Sequence, residues 1–209
     1  MQANKKTIAV LGAGNIGATL GKKWSNSGHR VVFGVNDPNG PKSQDLRKAL
    51  GNQVEIGTVA EALKAGPEVV VMAVPGAAID ALLTEHKAQL DRLIIIDAAN
   101  RMGQSVMNSF ESFKEHIPEA RIFRAFNTLG WENFADPIYQ GVVADLFYCG
   151  SDGEARTIVE SLISDIGLMP VYVGGIEQVG VVDSIAGLWF ALAFGQKRGR
   201  QLAFKLLTR

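Results

Sequence analysis

Cysteine and histidine are scarce in this chain of 209 residues, and their scarcity excludes several chemistries at once. A single cysteine, Cys149, cannot close an internal disulfide. It lies in the apolar run Asp145-Leu-Phe-Tyr-Cys-Gly150, where a small buried hydrophobe is expected rather than a nucleophile. Of the three histidines, His29 stands at the turn into a strand, His86 in a charged helical stretch and His116 just before Ile117-Pro118. None falls where a catalytic acid or base is expected, so no catalytic residue is assigned and no metal site can be assembled. An excess of either charge is missing too: 21 Lys and Arg balance 21 Asp and Glu, leaving no field to draw the chain onto nucleic acid or an anionic membrane. Long apolar runs are also lacking. Four apolar residues precede Gly12, against roughly 7–15 in a signal peptide, and Ile185–Phe194 falls short of the roughly 18 that span a bilayer. A cytoplasmic protein with no nucleic-acid or membrane partner is expected.

What is present is ordinary globular composition, 47% hydrophobic and 20% charged, which excludes the disordered class and suits one domain over 1–209. Apolar or β-branched runs at Thr7–Leu11, Arg30–Val35, Val54–Gly57, Glu68–Val74, Leu93–Asp97, Arg121–Phe126, Leu146–Cys149 and Met169–Val173 alternate with helical stretches. This alternation predicts an α/β fold of doubly wound, Rossmann type around a mostly parallel sheet. Ser151-Asp-Gly-Glu154 has the form of a capping box opening a helix that runs to about Ile166. The 36 residues from Gly174 to Arg209 are too few for a substrate domain. They predict a short C-terminal helical segment, packed on its own sheet or forming a homodimer interface through Ile185, Leu188, Trp189, Phe190, Leu192 and Phe194.

The motif that carries chemistry is Gly12-Ala13-Gly14-Asn15-Ile16-Gly17. It follows the first strand directly and opens a helix whose Ile16, Leu20 and Trp24 form an apolar stripe; Ser25-Asn-Ser-Gly28 then stops that helix before the second strand. In that context it reads as a dinucleotide-binding loop. Gly12 permits the tight turn, Gly14 lets the pyrophosphate approach, Gly17 allows close helix packing, and the amides of Asn15, Ile16 and Gly17 face phosphate. The second strand ends in Val35-Asn36-Asp37-Pro38, where the adenine ribose is expected. Asp37 lies twenty residues past Gly17, about where a carboxylate accepts from a ribose 2′-hydroxyl, whereas Lys42 is near enough to meet a 2′-phosphate, so NADP and NAD both remain open.

Ligands of such sheets bind beyond the carboxyl ends of the strands. Val74-Pro75 is a stiff apolar loop suited to a nicotinamide face, and Asn100 ends the following loop. Asn127, Thr128, Leu129 and Trp131 form the candidate substrate pocket, with Asn127 and Thr128 as hydrogen-bonding groups and Trp131 and Phe134 as stacking surfaces for a planar molecule. Hydride exchange between two rings needs their apposition and the exclusion of water more than it needs an acid or base.

Gly12-Ala-Gly-Asn-Ile-Gly17 with Gly28-His29, Val74-Pro75, Arg124-Ala-Phe-Asn-Thr128, Gly150-Ser-Asp152 and the tail Phe204-Lys-Leu-Leu207 together resemble the NADP-dependent oxidoreductases of the coenzyme F420 reductase type. The resemblance implies that family's fold and hydride exchange between NADP and a deazaflavin. It places phosphate on Ala13, Gly14, Asn15 and Ile16, and the nicotinamide against Val74, Pro75 and the turn at Asn100. One departure stands out: the family often has an arginine for the 2′-phosphate where this chain has Asn36. The expectation is therefore an NAD(P)-dependent oxidoreductase passing hydride to F420 or an ordinary flavin. Its rivals are a non-catalytic NAD(P)-binding sensor or partner subunit, and a conventional dehydrogenase completed by a residue from a second copy.

Overall fold

A computed structural model describes residues 5–209; residues 1–4 of the N-terminal segment lie outside it. By its contacts the chain divides into two compact units, Met1–Ile122 and Phe123–Arg209, and the boundary falls inside a strand rather than in a linker.

The first unit alternates strand and helix: β1 (Thr7–Leu11), α1 (Asn15–Asn26), β2 (Arg30–Gly34), α2 (Pro41–Leu50), β3 (Glu55–Gly57), α3 (Val59–Lys64), β4 (Val69–Met72), α4 (Ile79–Leu90), β5 (Ile94–Asp97) and α5 (Phe110–His116). All its strand pairs are parallel, in the order β5-β4-β1-β2-β3. The chain winds outward from β1 in both directions, so the predicted doubly wound Rossmann arrangement is what forms. Its central strands are apolar throughout because both faces are covered: Ile8 to Leu11, Val69 to Met72 and Ile95 to Ile96 are wholly buried. α1 ends as its sequence predicts. Gly28 N–H donates to Ser25 O (2.9 Å) and His29 N–H to Trp24 O (3.0 Å), the paired bonds of a Schellman stop, with Gly28 at φ +89°.

The second unit begins within β6 (Arg121–Arg124) and continues through α6 (Trp131–Ala135), a hairpin of β7 (Ile138–Tyr139) and β8 (Val142–Val143), β9 (Asp145–Gly150), α7 (Glu154–Ile166), β10 (Met169–Tyr172) and α8 (Val179–Phe190). β10 pairs with β9 in parallel, whereas β9 runs antiparallel to β6, with Arg124 opposite Cys149. The sheet is thus mostly, not wholly, parallel.

Three details depart from the sequence reading. The helix predicted from Ser151-Asp-Gly-Glu154 forms, but the capping box does not: Gly153, at φ +76°, takes the cap position and Asp152 Oδ1 accepts instead from the Gly153 amide (2.8 Å). The capping box that does form joins Thr58 to Glu61. At the C-terminus the helical course runs as one 20-residue stretch, Ile176–Gly195, ending in a π turn, so it is longer than the apolar run Ile185–Phe194 and passes, by length and composition alone, as long enough to cross a membrane. Beyond Gly195 the tail is not helical. Lys197 and Gly199 adopt positive φ, and residues 204–206 bond to Asp145 through Phe204 O, Lys205 Nζ (2.6 Å) and Leu206 N–H (2.6 Å).

Candidate functional site: a phosphate loop and a strained turn

In the first unit, β1 delivers the chain into Gly12 at φ +112°, a conformation L side chains rarely adopt. The first helical bond of α1 is Ala18 N–H to Gly14 O (2.8 Å), so the amides of Asn15, Ile16 and Gly17 precede the ladder and have no acceptor within it. The two remaining glycines of the motif differ in what they meet. A Cβ at Gly17 would overlap the Gly12 carbonyl oxygen and reach 3.2 Å from Ala73 Cβ, so packing alone demands glycine there. A Cβ at Gly14 would meet no protein atom within 4 Å, and its φ of −75° suits any residue. Neither packing nor backbone conformation therefore requires glycine at 14. The residues fit a dinucleotide pyrophosphate on that observation.

The neighbouring loops converge on the same edge of the sheet. Ala73, at the end of β4, packs under Gly12 and Gly17, and the half-buried Val74 and exposed Pro75 follow it. Gly76 lies against the next loop so closely that a Cβ would come within 2.7 Å of Asn100 O, which brings Pro75 and Asn100 together. The Asn100 loop is tied down by Arg101, which sequence reading missed. Its Nη2 donates to Asp80 Oδ1 (2.6 Å) on α4 and to Ser112 Oγ (3.0 Å) on α5, and its Nε to Ser109 Oγ (2.9 Å). The bond from Arg101, then that from Ser112, holds the Asp80 carboxyl below the usual range.

At the ribose turn, Val35 is buried and extends β2, donating its amide to Gly57 O (3.0 Å). Asn36, Asp37 and Lys42 are exposed. Asp37 caps its own turn, with Oδ1 accepting from Asn39 N–H (3.0 Å) and its carbonyl accepting from Ser43 Oγ (2.7 Å). Arg47 also reaches this turn from α2, donating to Pro38 O (2.5 Å). Its distance along the helix hid it from a reading of neighbouring residues.

In the second unit, β6 leads into Ala125 and then Phe126, a buried aromatic at φ +62°. A bulky residue in the left-handed region stores strain of about 1–3 kcal/mol and is held there by its surroundings. Here Phe126 packs edge-on against Phe134 with ring centroids 5.6 Å apart. Phe134 is therefore wholly buried core, and the expectation that it stacks on a substrate is corrected. Trp131, half-buried at the start of α6, remains available, while Leu129 is buried.

Asn127 and Thr128 follow the strained residue and are almost fully buried. Asn127 Nδ2 donates to Asp183 Oδ1 (3.1 Å) on α8, and the buried Arg124 donates to the same oxygen through Nε (2.9 Å). Neither Arg124 nor Asp183 had been assigned a role from sequence. The signal was a charge inside a strand of core residues, which requires a partner. Cys149, beside them on β9, is buried as expected, and burial pushes its thiol up to about 12, away from nucleophilic use. Among the described residues no group of three His, Cys, Asp or Glu is placed to hold a metal.

Comparison with known proteins agrees with the resemblance read from the sequence. Residues 7–101 match the family described as NADP oxidoreductase, coenzyme F420-dependent. A crystal structure from Arthrobacter sp. FB24, described as a candidate F420-dependent NADP-reductase, is 26% identical, with a TM-score of 0.84 over 97% of this chain and 100% of that one. The hypothetical protein SMa0349 from Sinorhizobium meliloti is also 26% identical, with a TM-score of 0.70 over 98% and 96%. Among curated proteins, a glycerol-3-phosphate dehydrogenase [NAD(P)+] of Syntrophotalea carbinolica is 24% identical over 97% of this chain, which spans 65% of that protein's length. The metalloreductase STEAP3 of Rattus norvegicus is 25% identical over 85% of this chain, which spans 36% of its length.

Proposed function

We propose that this chain, whose residues 7–101 carry the match to the F420-dependent NADP oxidoreductases, is an NAD(P)-dependent oxidoreductase that exchanges hydride with a planar acceptor, either the deazaflavin F420 or an ordinary flavin. The observation that carries the reading is the open space at Gly14, where neither packing nor backbone conformation demands glycine. The nicotinamide supplies the hydride when bound. The chain's own residues do the rest: the amides of Asn15, Ile16 and Gly17 hold the pyrophosphate, Asn36, Asp37 and Lys42 meet the ribose edge, Val74 and Pro75 shield one ring face from water, and Asn100 closes that wall. Asn127, Thr128, Leu129 and Trp131 serve the planar substrate. That STEAP3 is named a metalloreductase supports testing ferric complexes downstream of a reduced flavin.

Steady-state loss of reduced-nicotinamide absorbance, with F420, FMN, FAD and riboflavin offered in turn, tests the reading; no turnover with any of them rejects it. The protein is proposed to act in the cytoplasm as a homodimer. The outward residues Val181 and Leu188 of α8, with Phe194 just beyond it, leave an apolar strip that a second copy would cover. Sedimentation as a monomer at micromolar concentration would reject the dimer.

A further inference from the structure

The turn that follows β2 is held from α2 as well as by its own residues. Ser43 and Arg47 stand four residues apart, so they share one face of that helix. They bond to successive carbonyls of the turn: Ser43 Oγ donates to Asp37 O (2.7 Å) and Arg47 Nη1 to Pro38 O (2.5 Å). Ser43 is buried there, whereas Arg47 is exposed. A guanidinium carries five N–H donors in a rigid fork, and one carbonyl engages only the Nη1 corner. The Nε–Nη2 edge, which matches two oxygens of a phosphate, stays unspent. A carbonyl also leaves the positive charge unneutralised, and no carboxylate pairs with Arg47 among the described residues.

β2 itself runs out into Val35-Asn36-Asp37, with no cation of its own where the adenosine ribose of a dinucleotide lies along such a strand end. The carboxylate at this point is turned to its own loop. Asp37 Oδ1 accepts from Asn39 N–H (3.0 Å), and a Cβ at Gly40 would come within 2.8 Å of Oδ2. The charge that α2 brings is therefore a guanidinium fixed beside Pro38, two residues beyond Asn36, with the exposed ammonium of Lys42 on the same helix.

We propose that Arg47 determines which nucleotide this protein takes: anchored through Nη1, it offers Nε and Nη2 to a phosphate monoester at the ribose 2′ position, with Lys42 as a supporting charge. NADP(H) is then preferred to NAD(H). The proposal rests on the reading of the chain as an NAD(P)-dependent oxidoreductase and goes beyond it by naming the nucleotide and the side chain that selects it.

The test is Arg47→Gln, which removes the charge and the fork from an exposed position. NADPH and NADH are titrated by fluorescence. Calorimetry with 2′,5′-ADP and 5′-AMP reads the adenosine end by itself. The unaltered protein is expected to bind NADPH more tightly than NADH, and 2′,5′-ADP more tightly than 5′-AMP. In Arg47→Gln, affinity for the two 2′-phosphorylated ligands should fall about ten- to a hundredfold, with NADH and 5′-AMP binding and the unfolding temperature unchanged. Arg47→Lys, which keeps the charge without the fork, should regain part of the loss. Equal losses for NADPH and NADH would make Arg47 a brace of the turn and overturn the proposal. So would a variant that binds NADPH as the parent does, or a parent that binds both nucleotides equally; both results leave the oxidoreductase reading standing. Failure of that reading looks different: the unaltered protein binds neither NADPH nor NADH, and the proposal falls with it.

Discussion

Replacing Gly14 by alanine separates folding from binding more cleanly than any other single change in the loop. At φ −75° and ψ 179° alanine is unstrained, and the new methyl enters space free of protein atoms to 4 Å. Restricting the unfolded chain stabilises the variant by about 0.4–1 kcal/mol, whereas alanine is a poorer N-cap than glycine by roughly 1 kcal/mol. The two nearly cancel, so the unfolding temperature should move by no more than about 2–4 °C for a chain of this size. Binding has no such compensation. On the proposed function, the methyl stands where a pyrophosphate would approach the amides of Asn15, Ile16 and Gly17. One lost bond to a charged group is worth about 1.5–3 kcal/mol, and losing two lowers affinity by a hundredfold or more. Fluorescence titration with NADPH and NADH, alongside thermal unfolding, reads both quantities. Gly17→Ala is the control of opposite sign: its methyl collides with the Gly12 carbonyl, and overpacking of about 1–3 kcal/mol should appear as lost stability. If Gly14→Ala is stable and binds both nucleotides as tightly as the parent, the loop is not the phosphate site. If it is as unstable as Gly17→Ala, the open space has been misjudged.

Asp183→Ala removes the carboxylate from the buried Arg124 and should cost about 3–5 kcal/mol in urea unfolding; a loss below about 1 kcal/mol would mean that the ion pair is not buried in solution. Asp80→Asn should loosen the Asn100 loop and raise the KM for the nicotinamide nucleotide a few-fold, with a stability loss held to about 1 kcal/mol because the carboxylate is half exposed. Since Arg101 lowers the native pKa of Asp80, the parent's advantage over Asp80→Asn should be complete above about pH 4 and vanish as pH falls through the lowered native value; an advantage that grows on acidification contradicts the assignment. Cys149, with its thiol raised by burial, should resist a thiol reagent at pH 7–8 until the protein is unfolded, and rapid native labelling would show β9 to be open. Asn36→Arg should raise NADPH affinity by about ten- to a hundredfold at low salt and leave NADH binding unchanged; an unaltered NADPH-to-NADH ratio would move the ribose pocket elsewhere.

What could be read from the sequence, and what could not, divides along a physical line. The central strands β1, β4 and β5 were legible because each is an apolar run covered on both faces, whereas the edge strands β3 and β10, only half-buried, were marked by their spacing between helices. The glycine turn between β1 and α1 was legible because its parts are local: a strand, three glycines and a helix within one crossover unit. Arg124 and Asp183 stand 59 residues apart, and nothing in either segment's periodicity marks the other as its partner. The same holds for Arg101 and Asp80, 21 residues apart, and for Arg47, which reaches Pro38 O from nine positions along the chain. The left-handed backbone of Phe126 was hidden for a different reason. An aromatic at the end of an apolar run predicts more strand, and only the surrounding packing forces the turn that aims Asn127 and Thr128. Residue types named these two as hydrogen-bonding groups, but their unpaired atoms emerge only when every other donor and acceptor nearby has been placed. Local pattern thus recovers the turn that opens α1, whereas the buried bond of Asn127 to Asp183 joins segments 56 residues apart that no local pattern connects.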